Sequence, residues 1–406
     1  MKKILYIMVC FAFAACTSFE DNPYAKDLHT LIVQVVYPTD YVQYLRAGVP
    51  VTIQDVDFGN KYTAQTDAKG VVRFEIANGI YRVAISDMPS EEAMFNGMAD
   101  RVQVIDEDRQ MPINLIYSKP GTLIIKEIYC GGCSKAPQQG DYVFDKYVIL
   151  HNNSPHTIYL DGLCFGFADP YNSNGGENQW VTKDPVTGET IFPPFVPILD
   201  GLWQFGGAGT DFAVESGKDA VIAINGAINH AAQYPRSVNL NKPDYFVCYD
   251  EENYPLVNYH PTPGDQIQQS HYLRVVIKLG KGTAYGYSTS PPATVIFRPV
   301  GVTIDEFLKD PAHVVQKNKS DDRCALIPQE WVIDGVEVFT KASDPIKRLQ
   351  PTIDAGFVVF SESKKGHTLH RVLNEAATAA AGFEIYSDTN NSSNDLYERT
   401  TQSLHE

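Results

Sequence analysis

Positive charge is scarce in this chain. Lys and Arg number 33 against 49 Asp and Glu, a formal net charge of −16 at pH 7. An acidic chain repels phosphate backbones, which sets nucleic acid aside as a partner. Beyond residue 15 no run reaches the roughly eighteen apolar residues of a membrane-spanning helix. The strings that mark common reactions are missing too: there is no G-x-S-x-G, no phosphate-cradling G-x-x-x-x-G-K-S/T and no H-E-x-x-H. One C-x-x-C occurs, without a second pair that would complete a zinc site, and no internal repeat is visible. These absences leave class and location readable and name no reaction.

What is present favours β-structure. The 406 residues suit two or three domains, and 44% hydrophobic with 20% charged residues is a globular balance. Tyr (23), Phe (20), Gly (29) and Pro (25) fit many short strands joined by turns. The first fifteen residues stand apart. Lys2 and Lys3 precede an apolar run over 4–13 that is too short to span a bilayer, and Phe13-Ala14-Ala15-Cys16 puts small residues before a cysteine. This pattern resembles a bacterial lipobox, with Phe13 in place of the usual Leu. The resemblance implies that Cys16 is the lipidated first residue of the mature protein; the alternative is an ordinary secretory signal. Residues 16–28 then form a tether. Its Glu20 and Asp21 resemble a surface-export signal of Bacteroidota lipoproteins, or serve as a solvated spacer.

From residue 29 the chain alternates. Leu31, Val33 and Val35 share one face of a strand, and further strands are predicted near 49–53, 62–66, 71–76, 81–85, 102–105 and 113–117. Asp67-Ala68-Lys69-Gly70 and Asn78-Gly79 between these runs predict hairpin turns, and the set reads as an antiparallel sandwich. Thr66-Asp67-Ala68-Lys69-Gly70, with Phe74 and then Gly79, Tyr81 and Val83, resembles the carboxypeptidase regulatory-like, transthyretin-type sandwich over 29–118. That resemblance implies Gly70 in the turn and Phe74, Tyr81 and Val83 packed inward. It implies a spacer or accessory module rather than an activity.

Residues 119–406 form the second predicted unit. Glu127-Ile128-Tyr129 and Tyr147-Val148-Ile149-Leu150, followed by Asn152-Asn153-Ser154-Pro155 and Asp161-Gly162, resemble the start of a lamin-tail-like, Ig-type sandwich, with Ile149 departing from the usual Glu. Glu330 to Glu337, then His370-Arg371, Asp388-Thr389-Asn390-Asn391 and Asn394-Asp395-Leu396, resemble the end of the same domain, and their strands are expected beside the opening pair. A long insert at about 165–330 must supply the strands between, with 220–225 and 273–279 apolar enough to do so. Taken whole, the pattern resembles a family of Bacteroidota outer-membrane lipoproteins known as a domain of unknown function. The resemblance implies export and work beside a TonB-dependent transporter.

Candidate chemistry is sparse. Cys130-Gly131-Gly132-Cys133 is open to a local disulfide, two buried thiols, half a metal site or a redox pair; Cys164, Cys248 and Cys324 are scattered. Asp169, Asn172, Asn174 and Glu177 put oxygen donors on a Gly-bearing loop, as Ca²⁺ requires, although Asx residues also build turns and the spacing is not that of an EF-hand. Tyr171, Trp180, Trp203 and Phe205, among Asn and Gln, make a candidate stacking platform or a cover for the core. The expectation is an all-β protein of two sandwiches, non-enzymatic and without a required cofactor. It is held at the outer membrane, on its periplasmic or outer face, and captures a nutrient, metal complex or glycan through loops at 168–212. Alternatives are a structural or adhesive surface protein and a metal-dependent hydrolase. Replacing Cys16 with Ser should abolish palmitate labelling and move the protein to the soluble fraction; unchanged membrane partition would contradict the lipid anchor.

Overall fold

The computed structural model describes residues 28–90, 93–118, 121–173, 177–186, 188, 190–317, 320–343 and 346–405. The segment expected to be a signal peptide, and Cys16 with its expected lipid anchor, lie outside the described residues. The protein is all-β, built from packed sheets with a few short helical turns.

In the first part, Leu28–Val36 pairs antiparallel with Val71–Ala77 and parallel with Arg109–Asn114. This three-stranded sheet packs against a five-stranded one ordered Lys61–Gln65, Pro50–Asp55, Gly79–Ser90, Ala93–Val104, Ile116–Ser118. Period-two alternation sends Leu31, Val33 and Val35 from one sheet, and Val51, Ile53, Val83 and Ile85 from the other, into one core. Phe74 and Tyr81 are buried in it as well.

Two expectations about this part need correction. The parallel pairing with Arg109–Asn114 means the sandwich is not purely antiparallel. The two predicted hairpins are also corners between sheets. The Asp67–Gly70 turn does form, with Gly70 N–H donating to Asp67 O at 3.0 Å and the Asp67 carboxylate accepting from Lys69 and Val71. Yet the strand before it belongs to the five-stranded sheet and the strand after it to the three-stranded one. Asn78-Gly79 likewise separates strands of different sheets. Neither residue adopts the positive φ that a two-residue hairpin turn requires, and the Asn78 amide is bonded to Asp106 instead. Crossing between sheets lets both flanking strands point their apolar faces into the same core.

The second part is a larger sandwich. Leu123–Tyr129 and Tyr147–Asn152 pair at the centre of a six-stranded sheet, flanked by Asp219–Ala223 and Phe246–Val247 on one side and by Thr368–Arg371 and Leu396–Arg399 on the other. The facing sheet is ordered Val314–Gln316, Arg323–Pro328, Phe195–Gln204, Cys164–Ala168, Ala293–Phe297, Val332–Val336, with Arg274–Lys278 also paired to Phe195–Gln204. Ile125, Ile128, Val148 and Leu150 face Phe165, Phe167 and Trp203 in the core between them. Every residue of Leu123–Tyr129 and Tyr147–Asn152 is buried, because the insert covers the outer face too. Tyr129, Tyr147 and Ile149 pack there against Ala227, Val238 and Leu240. A further layer, with Ile304, Trp331 and Leu349, covers the back of the second sheet. The insert therefore supplies strands and much of both outer layers, with Trp331 and Leu349 joining the second from beyond it. The strand expected at 331–337 lies in the facing sheet, and the neighbour of Leu123–Tyr129 is Thr368–Arg371.

Arg371 holds these pieces together. Its guanidinium is 2% exposed and donates to Asp334 at 2.7 Å, to Asp388 at 3.1 Å and to the carbonyls of Ile125 and Ser387, with Asp395 3.6 Å away. The carboxylates reach onward: Asp334 accepts from Ile125 N–H, Asp388 from Gly121 N–H, and Asp395 from Thr389 and Asn391. Burial leads the forces on the acids, raising Asp334 to about 6 and Asp395 to about 7 despite Arg371. Both folded values lie above the ordinary range of about 4, so the fold holds protons that the unfolded chain releases. Their stabilising contribution falls as pH rises through that window. Arg371→Met should cost about 3–5 kcal/mol, since it strands buried carboxylates, with a gap to wild type that widens from pH 4 to pH 8 in urea titrations. A loss that does not change with pH would contradict this.

Candidate functional site

The described residues enclose a cleft of about 540 Å³, lined by Gly206, Gly207, Asp211, Phe212, Gln268, Ser270 and His271. Its first wall follows from a loop that has no choice of shape. Strand Phe195–Gln204 ends by burying Phe205 against Phe246, ring centroids 4.8 Å apart. The chain then winds around Asp161, whose carboxylate accepts the N–H groups of Gly209 (2.8 Å), Asp211 (3.0 Å) and Phe212 (3.0 Å). Burial pushes the Asp161 pKa up, but the amides of Asp211, Phe212 and Gly209 outweigh it and leave the group below the ordinary carboxylate value. Gly207 sits at φ +94°, and a Cβ there would lie 2.1 Å from Asp161 Oδ1, so glycine is a steric requirement at that position.

The second wall comes from the turn Gln269–His271, just ahead of Arg274–Lys278. Antiparallel pairing of Gln204 with Arg274 brings that turn beside Gly206. The His271 ring lies 4.6 Å from Phe246 and 5.4 Å from Phe212, and Phe212 meets Phe246 edge-on at 5.2 Å. Burial lowers the His271 pKa, with Asp244 opposing, so the imidazole is neutral at pH 7. Ser270 Oγ is 3.3 Å from His271 Nδ1, and among the described residues no carboxylate bonds the ring.

The residues singled out from sequence are not gathered in one place. Trp203 is fully buried and stacked on Tyr254, and Phe205 is the buried floor beneath the cleft, so neither offers a face to a ligand. Tyr171 donates its hydroxyl to Gly286 O and packs on Phe167. Trp180 donates to Asp169 Oδ2 at 2.8 Å and meets Phe195 edge-on. The stacking platform is therefore not formed; these rings mainly cover the core. The calcium set fares the same way. Asp169 is fully buried with its oxygens taken by Trp180 and Lys317, Asn172 accepts from Ser288, Glu177 is exposed, and Asn174 lies outside the described residues.

Cys130 and Cys133 are free, buried thiols, and no disulfide joins them. Cys130 faces the core between the sheets, whereas Cys133 lies 3.6 Å from the buried Asp145 carboxylate beside Tyr129. Burial raises both thiols to about 12, which suppresses the thiolate needed for redox or metal chemistry. Cys164, Cys248 and Cys324 are free and buried too. Gln268, Ser270 and His271 escaped the sequence reading because their place depends on which strand Arg274–Lys278 joins.

The fold and cleft define an all-β protein of sandwich type. The family described as "Protein of unknown function (DUF4876)" matches residues 215–403. The chain is similar to the crystal structure of a DUF4876 family protein from Bacteroides thetaiotaomicron: 24% identity, a TM-score of 0.57, and coverage of 92% of this chain and 96% of that one. That likeness speaks for the fold. The Bacillus anthracis TIE protein (12% identity, TM-score 0.19, 68% of this chain and 46% of that one) and the major pilin subunit of Bacillus cereus (11%, 0.17, 80% and 96%) are too dissimilar to carry an argument. No curated protein matches. These findings agree with a Bacteroidota-type family of unknown function and do not bear on the lipid anchor or on the two named sandwich families.

Asp161→Ala should release the loop. Hydrogen exchange at Gly209, Asp211 and Phe212 should speed up, with a stability loss of about 1–3 kcal/mol. Unchanged protection at those amides would show that the loop is held by something else.

Proposed function

We propose that this chain is a non-enzymatic binding protein that captures a small ligand in the cleft between 206–212 and 268–271. The carrying observation is a concave site with aromatic walls and a few polar groups, held in shape by the Asp161 carboxylate. The long Ser270–His271 contact, with no carboxylate orienting the imidazole, supports binding rather than hydrolysis. In this reading Cys16 tethers the chain to the outer membrane, residues 29–118 act as a spacer and 119–406 carry the cleft. A TonB-dependent transporter is the partner to which ligand is passed, and no cofactor takes part.

The test is to incubate the full chain with a small-molecule extract of growth medium and identify retained compounds by mass spectrometry. Wild type should retain a compound that Phe212→Ala and His271→Ala variants lose by about tenfold or more. Equal retention by both variants would refute the cleft assignment. Retention of nothing, together with co-purification of an envelope protein, would favour the structural or adhesive role.

A further inference from the structure

The chemistry of the lining narrows the ligand class. We propose that the cleft takes one ring of a neutral saccharide, an inference that rests on the cleft being the binding site. Phe212 and His271 meet at 63° and form an aromatic corner, each ring braced from behind by the buried Phe246. A pyranose has a face of aligned C–H groups and a rim of hydroxyls. That shape suits an apolar ring wall bordered by hydrogen-bonding groups.

The rim provides those groups. Asp211 commits one oxygen to Ala208 N–H at 2.8 Å, and its other oxygen has no protein donor among the described residues. The Gln268 amide and the Ser270 hydroxyl each donate and accept, as sugar hydroxyls do. An anionic ligand would meet no compensating cation. No Lys or Arg lines the cleft, burial keeps His271 neutral, Asp211 repels anions, and the whole chain carries −16. A metal ion would find only His271 and Asp211 as protein ligands in this lining, fewer than the three or four a stable site needs. An uncharged polyol is the class that satisfies every lining group at once.

The test is an NMR titration of the full chain, read at the His271 ring protons. Methyl glucoside, methyl galactoside and methyl mannoside are the probes, with glucuronate as the anionic control. At least one neutral glycoside should shift the ring protons saturably, and glucuronate should bind at least about tenfold more weakly. Asp211→Ala and Phe212→Ala should each weaken the response at least about tenfold, whereas Asp211→Asn, which keeps an acceptor oxygen, should lose less. Unfolding midpoints confirm that the variants are folded. Glucuronate binding as tightly as the neutral sugars, or no shift with any neutral glycoside, would overturn the saccharide assignment. The cleft reading would stand apart from that result if compounds retained from the medium extract still depend on Phe212.

Discussion

Burying a guanidinium together with three carboxylates is unfavourable unless every charge is met by a fixed partner. Around Arg371 that condition shapes the architecture. The residues involved come from the entry to strand Leu123–Tyr129, from Val332–Val336, from Thr368–Arg371 and from the 387–395 turn. One side chain thus ties both sheets of the large sandwich to the segment that ends the chain. The same turn receives the small sandwich: Asn391 contacts Ser86 and the Ser393 carbonyl accepts from Lys61, while nearby Arg82 stacks over Phe357 at 3.8 Å. The ion network therefore works as a registration device more than as a source of net stability.

With the frame fixed, the insert has room to differentiate. It supplies interior strands, helps to cover both outer faces, and forms a concave surface where the loop after Phe195–Gln204 meets the turn before Arg274–Lys278. The cleft has the same economy as the frame. One buried carboxylate, Asp161, sets the backbone of an entire loop through three amides, so the walls need little ordering when a ligand arrives.

Much of the fold was legible from residues alone, and the failures share a cause. Alternation at 29–37 marked a real strand and its buried face because burial repeats with period two wherever only one face meets a core. Asn78-Gly79 misled because its hairpin preference is local, whereas the choice between hairpin and corner depends on which strand lies alongside. Trp203 and Phe205 were undecided for a similar reason. Aromatic residues beside glycines left an exposed platform and a core cover both open, and the strand carries these two into the core. The cleft was half visible: the Gly-rich 206–211 loop stood out, but nothing local places His271 opposite it. Asp161 entered only as part of a resemblance to a domain start, and its role as the anchor of a loop about fifty positions away is purely tertiary.

In the proposed function, the cleft between 206–212 and 268–271 is where this protein meets a ligand. Hydrogen exchange of the full chain in a small-molecule extract of growth medium, compared with buffer alone, addresses it most directly. The account predicts slowed exchange concentrated at 206–212 and 268–271, with the Arg371 network unchanged. Slowing confined to another surface, or no slowing anywhere, would contradict it.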